Sequence, residues 1–169
     1  MSHTAYLLLA LLLAGPRHGY QLKHMHDQGF PCEPPLAFGQ VYATLQRLEA
    51  RDLAARNGHV QKGGPRRTLY AVTEVGEQAV TRWVTKVDVP PDRRDSSLLV
   101  SKTLAALTAF GRDQAKDFLR RQRETDALWL RELVASESSS AANERIALDL
   151  ALARAYADIT WMTNTLQRL

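Results

Sequence analysis

The sequence predicts a mainly α protein in two parts, and three observations carry that expectation. Apolar residues recur at helical spacing through most of the chain. The one run rich in strand formers, Thr68-Leu69-Tyr70-Ala71-Val72, follows a glycine-rich turn. Pro90-Pro91-Asp92-Arg93-Arg94-Asp95 then separates this first part from a wholly helical remainder. At 169 residues, 45% hydrophobic and 24% charged, the chain has the composition of an ordinary folded protein. Two units are expected, residues 1–89 and 95–169.

The first helix is expected over Thr4 to Ala14, apolar nearly all round and therefore buried, with Gly15-Pro16 ending it. A second spans His18 to Gln28, where Tyr20, Leu22 and Met25 carry the apolar spacing before Gly29 and Pro31. Val41, Leu45 and Leu48 set the face of a third helix running to about Arg51. Two strands, Leu53 to Gln61 and Arg67 to Thr73, flank Lys62-Gly63-Gly64-Pro65-Arg66, whose glycines supply the positive φ of a hairpin turn. Thr73 then stands as N-cap of a fourth helix, with Glu74 and Glu77 in its first turn and Val80, Trp83, Val84 and Val87 on its face.

Three helices, a hairpin and a further helix are the order of a winged helix-turn-helix. In that arrangement the third helix fits a DNA major groove and the hairpin reaches the phosphates beside it. Charge agrees in its distribution. Net charge is only +4, yet Lys and Arg outnumber Asp and Glu by 10 to 7 up to Val89 and by only 12 to 11 beyond it. Arg56, Lys62, Arg66 and Arg67 form a stripe with no acid between them. The third helix presents Gln40, Ala43, Thr44, Arg47 and Arg51 opposite its apolar face. The expected division is Gln40, Thr44 and Arg47 at base edges, and Lys62, Arg66 and Arg67 on phosphates.

Beyond residue 95 three helices are expected: Ser96 to Thr108, Arg112 to Ala135 and Ala141 to Leu169, separated by Gly111 and a serine-rich joint. In the last, Leu148, Leu152, Ala155, Ile159, Met162, Leu166 and Leu169 make a seam of 3.5-residue spacing. Ile146, Leu150, Ala153, Ala157 and Trp161 make a second stripe, so this helix calls for two partners. The seam is assigned to a homodimer interface, with help from the first helix around Tyr6 to Leu13. The unit is thus a helical C-terminal dimerisation domain. Trp129 and Trp161 are candidates to border an effector pocket, since flat aromatic ligands stack on such rings. Arg123, Arg120 or Arg121 would pair with an acidic ligand.

GPRHGYQLK at Gly15 to Lys23, VYATLQRLEARDLAAR at Val41 to Arg56 and GGPRRTLYAVTEVG at Gly63 to Gly76, followed by a long helical region, resemble the PadR family of bacterial transcriptional regulators, in its longer subgroup. The resemblance implies a homodimer that binds operator DNA through the winged domain as a repressor released by a small molecule. Two positions depart from the family pattern. Ala37 replaces the Ser or Thr that opens the third helix, removing a cap at a cost of about 1 kcal/mol and leaving that helix entry loose without DNA. Asp52 replaces the Gly that follows it, a residue that enters the left-handed region less readily.

Other chemistries fit less well. Cys32 is the only cysteine, which excludes an intrachain disulfide and a thiolate zinc site and favours the cytoplasm. AYLLLALLLAG is far shorter than the roughly 20 residues of a membrane span. His24 and His26 are two apart and diverge on a helix, so no metal is expected, and His18 is assigned to packing or capping. Gly63-Gly64-Pro65-Arg66 lacks the Lys-[Ser/Thr] of a nucleotide loop and precedes a strand. No nucleophile, base and orienting residue assemble from motifs, so neither enzyme activity nor a cofactor is expected. The rivals are a winged-helix module that binds protein and a multidrug-sensing winged-helix regulator of another family.

Overall fold

Leu7 to Leu12 are each at most 2% exposed, so the first helix lies at the centre of the molecule. The computed structural model describes residues 1–60, 66–89, 96–136 and 142–169. Residues 62–65 of the expected hairpin turn, the boundary at 90–95 and most of the serine-rich joint lie outside them. The elements run α1 (His3–Leu13), β1 (Arg17–His18), α2 (Gly19–Gly29), α3 (Phe38–Glu49), β2 (Ala54–Val60), β3 (Arg67–Val72), α4 (Glu74–Thr85), α5 (Ser96–Phe110), α6 (Arg112–Ser136) and α7 (Ala142–Arg168). The mainly helical winged architecture expected from the sequence is the one observed. Helix α1 contacts α2, α3, α4, α5 and β3, and burying each of its leucines stabilises the fold by about 1.5–3 kcal/mol. Because it is enclosed within the subunit, α1 has no apolar surface over Leu7 to Leu12 to lend a dimer, which corrects that expectation.

Strand β3 lies between β1 and β2, with Arg17 opposite Tyr70 and Ala54 opposite Val72. The two-residue β1 anchors the start of α2 to the wing. There His18 forms a capping box: its Nδ1 accepts from the Gln21 N–H at 3.2 Å, and Gln21 Oε1 accepts from the His18 N–H at 3.3 Å. Burial, and next the Arg67 charge, push the His18 pKa down, which keeps that nitrogen an acceptor.

Asp27 fixes the path from α2 into α3. Its Oδ1 accepts from the Leu36 N–H at 3.0 Å and lies 3.1 Å from His26 Nδ1, while Oδ2 accepts from Lys23 Nζ at 2.6 Å. Burial opposes the charge, but these hydrogen bonds outweigh it and hold the pKa at about 2, against 3.8 normally. A depressed carboxylate pKa stabilises the fold above the unfolded value, and the contribution disappears as pH falls through the folded one. Asp27→Asn should therefore lose about 1–2 kcal/mol at neutral pH, after allowing for solvent screening. Urea unfolding should find the variant and the parent converging between about pH 4 and pH 2.

The end of α3 is closed by a Schellman motif. The Leu53 N–H donates to Leu48 O at 2.9 Å and the Asp52 N–H to Glu49 O at 3.0 Å. Asp52 holds the left-handed conformation the motif requires, with φ of 55°. Asp52 O in turn accepts from Thr73 Oγ1 at 2.6 Å, and Thr73 Oγ1 accepts from the Gly76 N–H at 3.0 Å, so Thr73 caps α4 as its position foretold.

Helices α6 and α7 pack along their lengths, the start of one beside the end of the other, where Arg112 donates to Leu169 O. Here the expected dimer seam needs correction. Leu148, Ala155 and Met162 are buried inside the subunit, and Met162 joins Leu99, Phe118 and Leu119 in a second core, with Ile159, Leu166 and Leu169 packed against it. Leu152 is half-buried. The 3.5-residue seam is what a helix needs to lie along a neighbour, and the neighbour is α6. The other stripe is open: Ile146 is 72% exposed and Leu150 54%, with Ala153 and Ala157 also exposed.

Winged and C-terminal elements share a core, since Ala105 and Ala106 of α5 join the α1 cluster. A polar joint adds to it. Lys102, 1% exposed, donates from Nζ to Lys86 O at 2.9 Å and Asp88 Oδ2 at 2.6 Å. Gln122, fully buried, exchanges two 2.8 Å hydrogen bonds with the Asp88 backbone.

Candidate nucleic-acid interface

Four side chains of α3, Val41, Leu45, Leu48 and Thr44, define its buried face, and the fourth was not expected there. Thr44 is 3% exposed, and its Oγ1 accepts from Arg47 at 3.1 Å. It lies three residues after Val41 and four before Leu48, which places it on the inward side of the helix. Thr44 is therefore no base-reading group; it holds the Arg47 guanidinium, and Arg47 itself stays exposed.

Gln40 is exposed, but its Oε1 accepts from the Ala37 N–H at 2.8 Å. That bond is the reverse half of a capping box. It corrects the expectation of a loose entry: Ala37 supplies no side-chain cap, yet a residue three positions on satisfies its own backbone donor. Ala43 and Arg51 are exposed as expected, as are Arg66 and Arg67. Lys62 lies outside the described residues. Arg56, also part of the basic stripe, sits 2.9 Å from the Glu49 carboxylate, which offsets its charge.

Three exposed aromatic rings were missed by the sequence reading. Tyr20 is 44% exposed, Phe38 43% and Tyr42 45%. Tyr20 and Phe38 stack with centroids 5.5 Å apart and planes within 12°. The Arg67 guanidinium lies 5.1 Å from the Tyr20 ring centroid, and Lys23 Nζ 5.4 Å from that of Phe38. A side chain at Gly19 would meet the Tyr42 ring at 2.7 Å, so this glycine lets the α2 start seat against α3. An apolar residue at an exposed helical position was the available signal, and for Tyr42 the spacing from Val41 gave it.

A cleft of about 270 Å³ opens between α1 and α3, with Arg47 and Arg51 on its rim and Thr44 in its lining. Another of about 510 Å³ lies on the outer face of α4. Neither is lined by Trp129, Trp161 or Arg123. Trp161 packs against the second core, while Trp83, not singled out for a ligand, stacks on Tyr6 at 4.8 Å and 4°. No described helix is long and apolar enough to cross a membrane.

A three-stranded wing beside an exposed, arginine-bearing third helix, continued by a helical hairpin, defines a winged helix-turn-helix protein. Residues 8–82 match the model of the transcriptional regulator PadR-like family. The match spans the winged part of the chain, which over that stretch resembles the family. Among solved structures it is similar to Bacillus subtilis PadR in complex with operator DNA, at 19% identity and a TM-score of 0.49, covering 100% of this chain and 99% of that one. It is also similar to Bacillus subtilis PadR in complex with p-coumaric acid, at 20% identity and 0.43, covering 96% of each. A third is the PadR-like transcriptional regulator BC1756 from Bacillus cereus, at 21% identity and 0.45, covering 99% and 96%. No curated protein sequence matches the chain.

Proposed function

We propose that the chain is a cytoplasmic, non-enzymatic repressor that binds an inverted-repeat operator as a homodimer and is released by a small aromatic effector. The observation that carries DNA binding is the exposure of Arg47 and Arg51 on α3 and of Arg66 and Arg67 at the wing, with Arg67 over the Tyr20 ring that stacks on Phe38 of α3. Lys62 would extend this basic surface. In this reading Arg47 and Ala43 face the bases, Gln40 turns outward only on giving up its bond to Ala37, and the wing cations hold phosphates. A gel-shift assay against the region upstream of the protein's own gene tests it: a retarded complex is expected, dispersed by planar aromatic compounds. Absence of any complex at low salt would favour a protein-binding winged module.

The open stripe of α7 supports a dimer in which Ile146, Leu150, Ala153 and Ala157 meet a second copy. Isologous pairing of this kind places two α3 helices a helical turn or a multiple apart, about 34–36 Å per turn. Leu150→Glu should give a folded monomer by light scattering, with operator affinity lowered at least tenfold. Persistence of the dimer would move the interface elsewhere. The effector is assigned to the zone where the C-terminal helices meet the winged domains, bordered by Trp129 and Trp161, with Arg123 as partner for a carboxylate. There a ligand can bind the two spacings of α3 unequally, as release requires. Residues 1–89 and 95–169 remain the functional division, one for DNA and one for assembly and effector.

A further inference from the structure

Recognition helices of this class meet base edges chiefly with their N-terminal residues, and in α3 those residues are unusual. Gln40 is exposed, but its carbonyl oxygen is held by the Ala37 N–H, and Thr44 is buried. The other outward residues of this half are Phe38, Gly39 and Ala43, with Tyr42 beside them. A Cβ at Gly39 would meet nothing within 4 Å, so the surface next to Phe38 is open to close approach. The Phe38 ring is held in place by stacking on Tyr20, and cations flank the pair, with Lys23 over Phe38 and Arg67 over Tyr20. An apolar surface with Arg67 over one ring and Lys23, ion-paired to Asp27, over the other complements one feature of a DNA duplex, the thymine C5-methyl group in the major groove, to which phenylalanine and alanine make apolar contact.

Building on the DNA-binding reading, we infer that Phe38, positioned by Tyr20, is a specificity-determining residue that reads thymine methyl groups in each operator half-site. The reading is by hydrophobic contact, so it distinguishes thymine from deoxyuridine, which pairs identically and lacks only the methyl.

The probe is a duplex enriched by the wild-type protein from a randomised pool, in which each thymine is replaced singly by deoxyuridine. At one or two positions per half-site the replacement should weaken wild-type binding about fourfold, the factor set by burial of one carbon group. Phe38→Ala should bind the thymine and deoxyuridine duplexes alike, and Phe38→Leu should keep part of the difference. Wild-type indifference to every replacement, or full discrimination by Phe38→Ala, overturns the assignment while leaving DNA binding in place. Failure to enrich any sequence overturns the DNA-binding reading itself, and this inference with it.

Discussion

Lys102→Ala should lower stability by about 3–5 kcal/mol in urea unfolding, the range for removing one partner of a buried ion pair. Lys102 comes from α5, and it donates to Lys86 O and Asp88 Oδ2 in the segment that leaves α4. Its ammonium is 5.6 Å from the Trp83 ring centroid and 5.7 Å from that of Phe118. Truncation leaves a carboxylate only 18% exposed and a carbonyl without that donor, and opens a cavity among aromatic rings. The double variant Lys102→Met with Asp88→Asn should recover most of the loss, because it removes both charges and keeps the volume. An equal loss in both variants would mean that packing, not charge, sets the effect. Since the same joint ties α4 to α5 and α6, the single variant should also decouple effector binding from DNA release.

Gly76→Ala should cost about 3 kcal/mol or more, at the upper end of what an added methyl does in a filled site. A Cβ there would stand 2.0 Å from Leu53 O, a backbone atom, and 2.9 Å from Val72 Cγ2. Leu53 cannot retreat freely: its carbonyl accepts from the Thr73 N–H, and its N–H closes the Schellman motif on α3. The strain would therefore spread into the recognition helix. Gly39→Ala is the matching control, because open space surrounds that site and alanine favours helix by about 1 kcal/mol. Thermal unfolding should fall for the first and hold or rise for the second. Tolerance of Gly76→Ala would mean that α4 is not clamped to the α3 turn.

The sequence made legible whatever depends on neighbours in the chain. Apolar spacing located the helices, Thr73 announced its cap, and Asp52 occupies a position where left-handed backbone is required. What depended on packing was hidden. A two-residue strand such as β1 carries no periodicity, and it exists only because Tyr70 and Leu69 lie opposite it. Thr44 looked outward because it is polar, whereas its angular position put it inside. The two apolar stripes of α7 were both visible, but composition could not say which one α6 would take. The Phe38 and Tyr20 pair joins residues eighteen apart, and only the fold brings their rings together.

Sequence-specific binding of DNA by α3 and the wing is measured most directly as affinity against salt. Wild-type protein should bind a duplex from its own upstream region at least about a thousandfold more tightly than a random duplex, with both affinities falling steeply between about 50 and 200 mM salt. Arg66→Ala and Arg67→Ala should weaken both duplexes alike and each reduce the salt slope by about one unit, while Arg47→Ala should weaken the cognate duplex by about 1–3 kcal/mol more than the random one. Equal affinity for the two duplexes, or a salt slope unchanged by loss of the wing arginines, would rule out sequence-specific DNA binding by α3 and the wing.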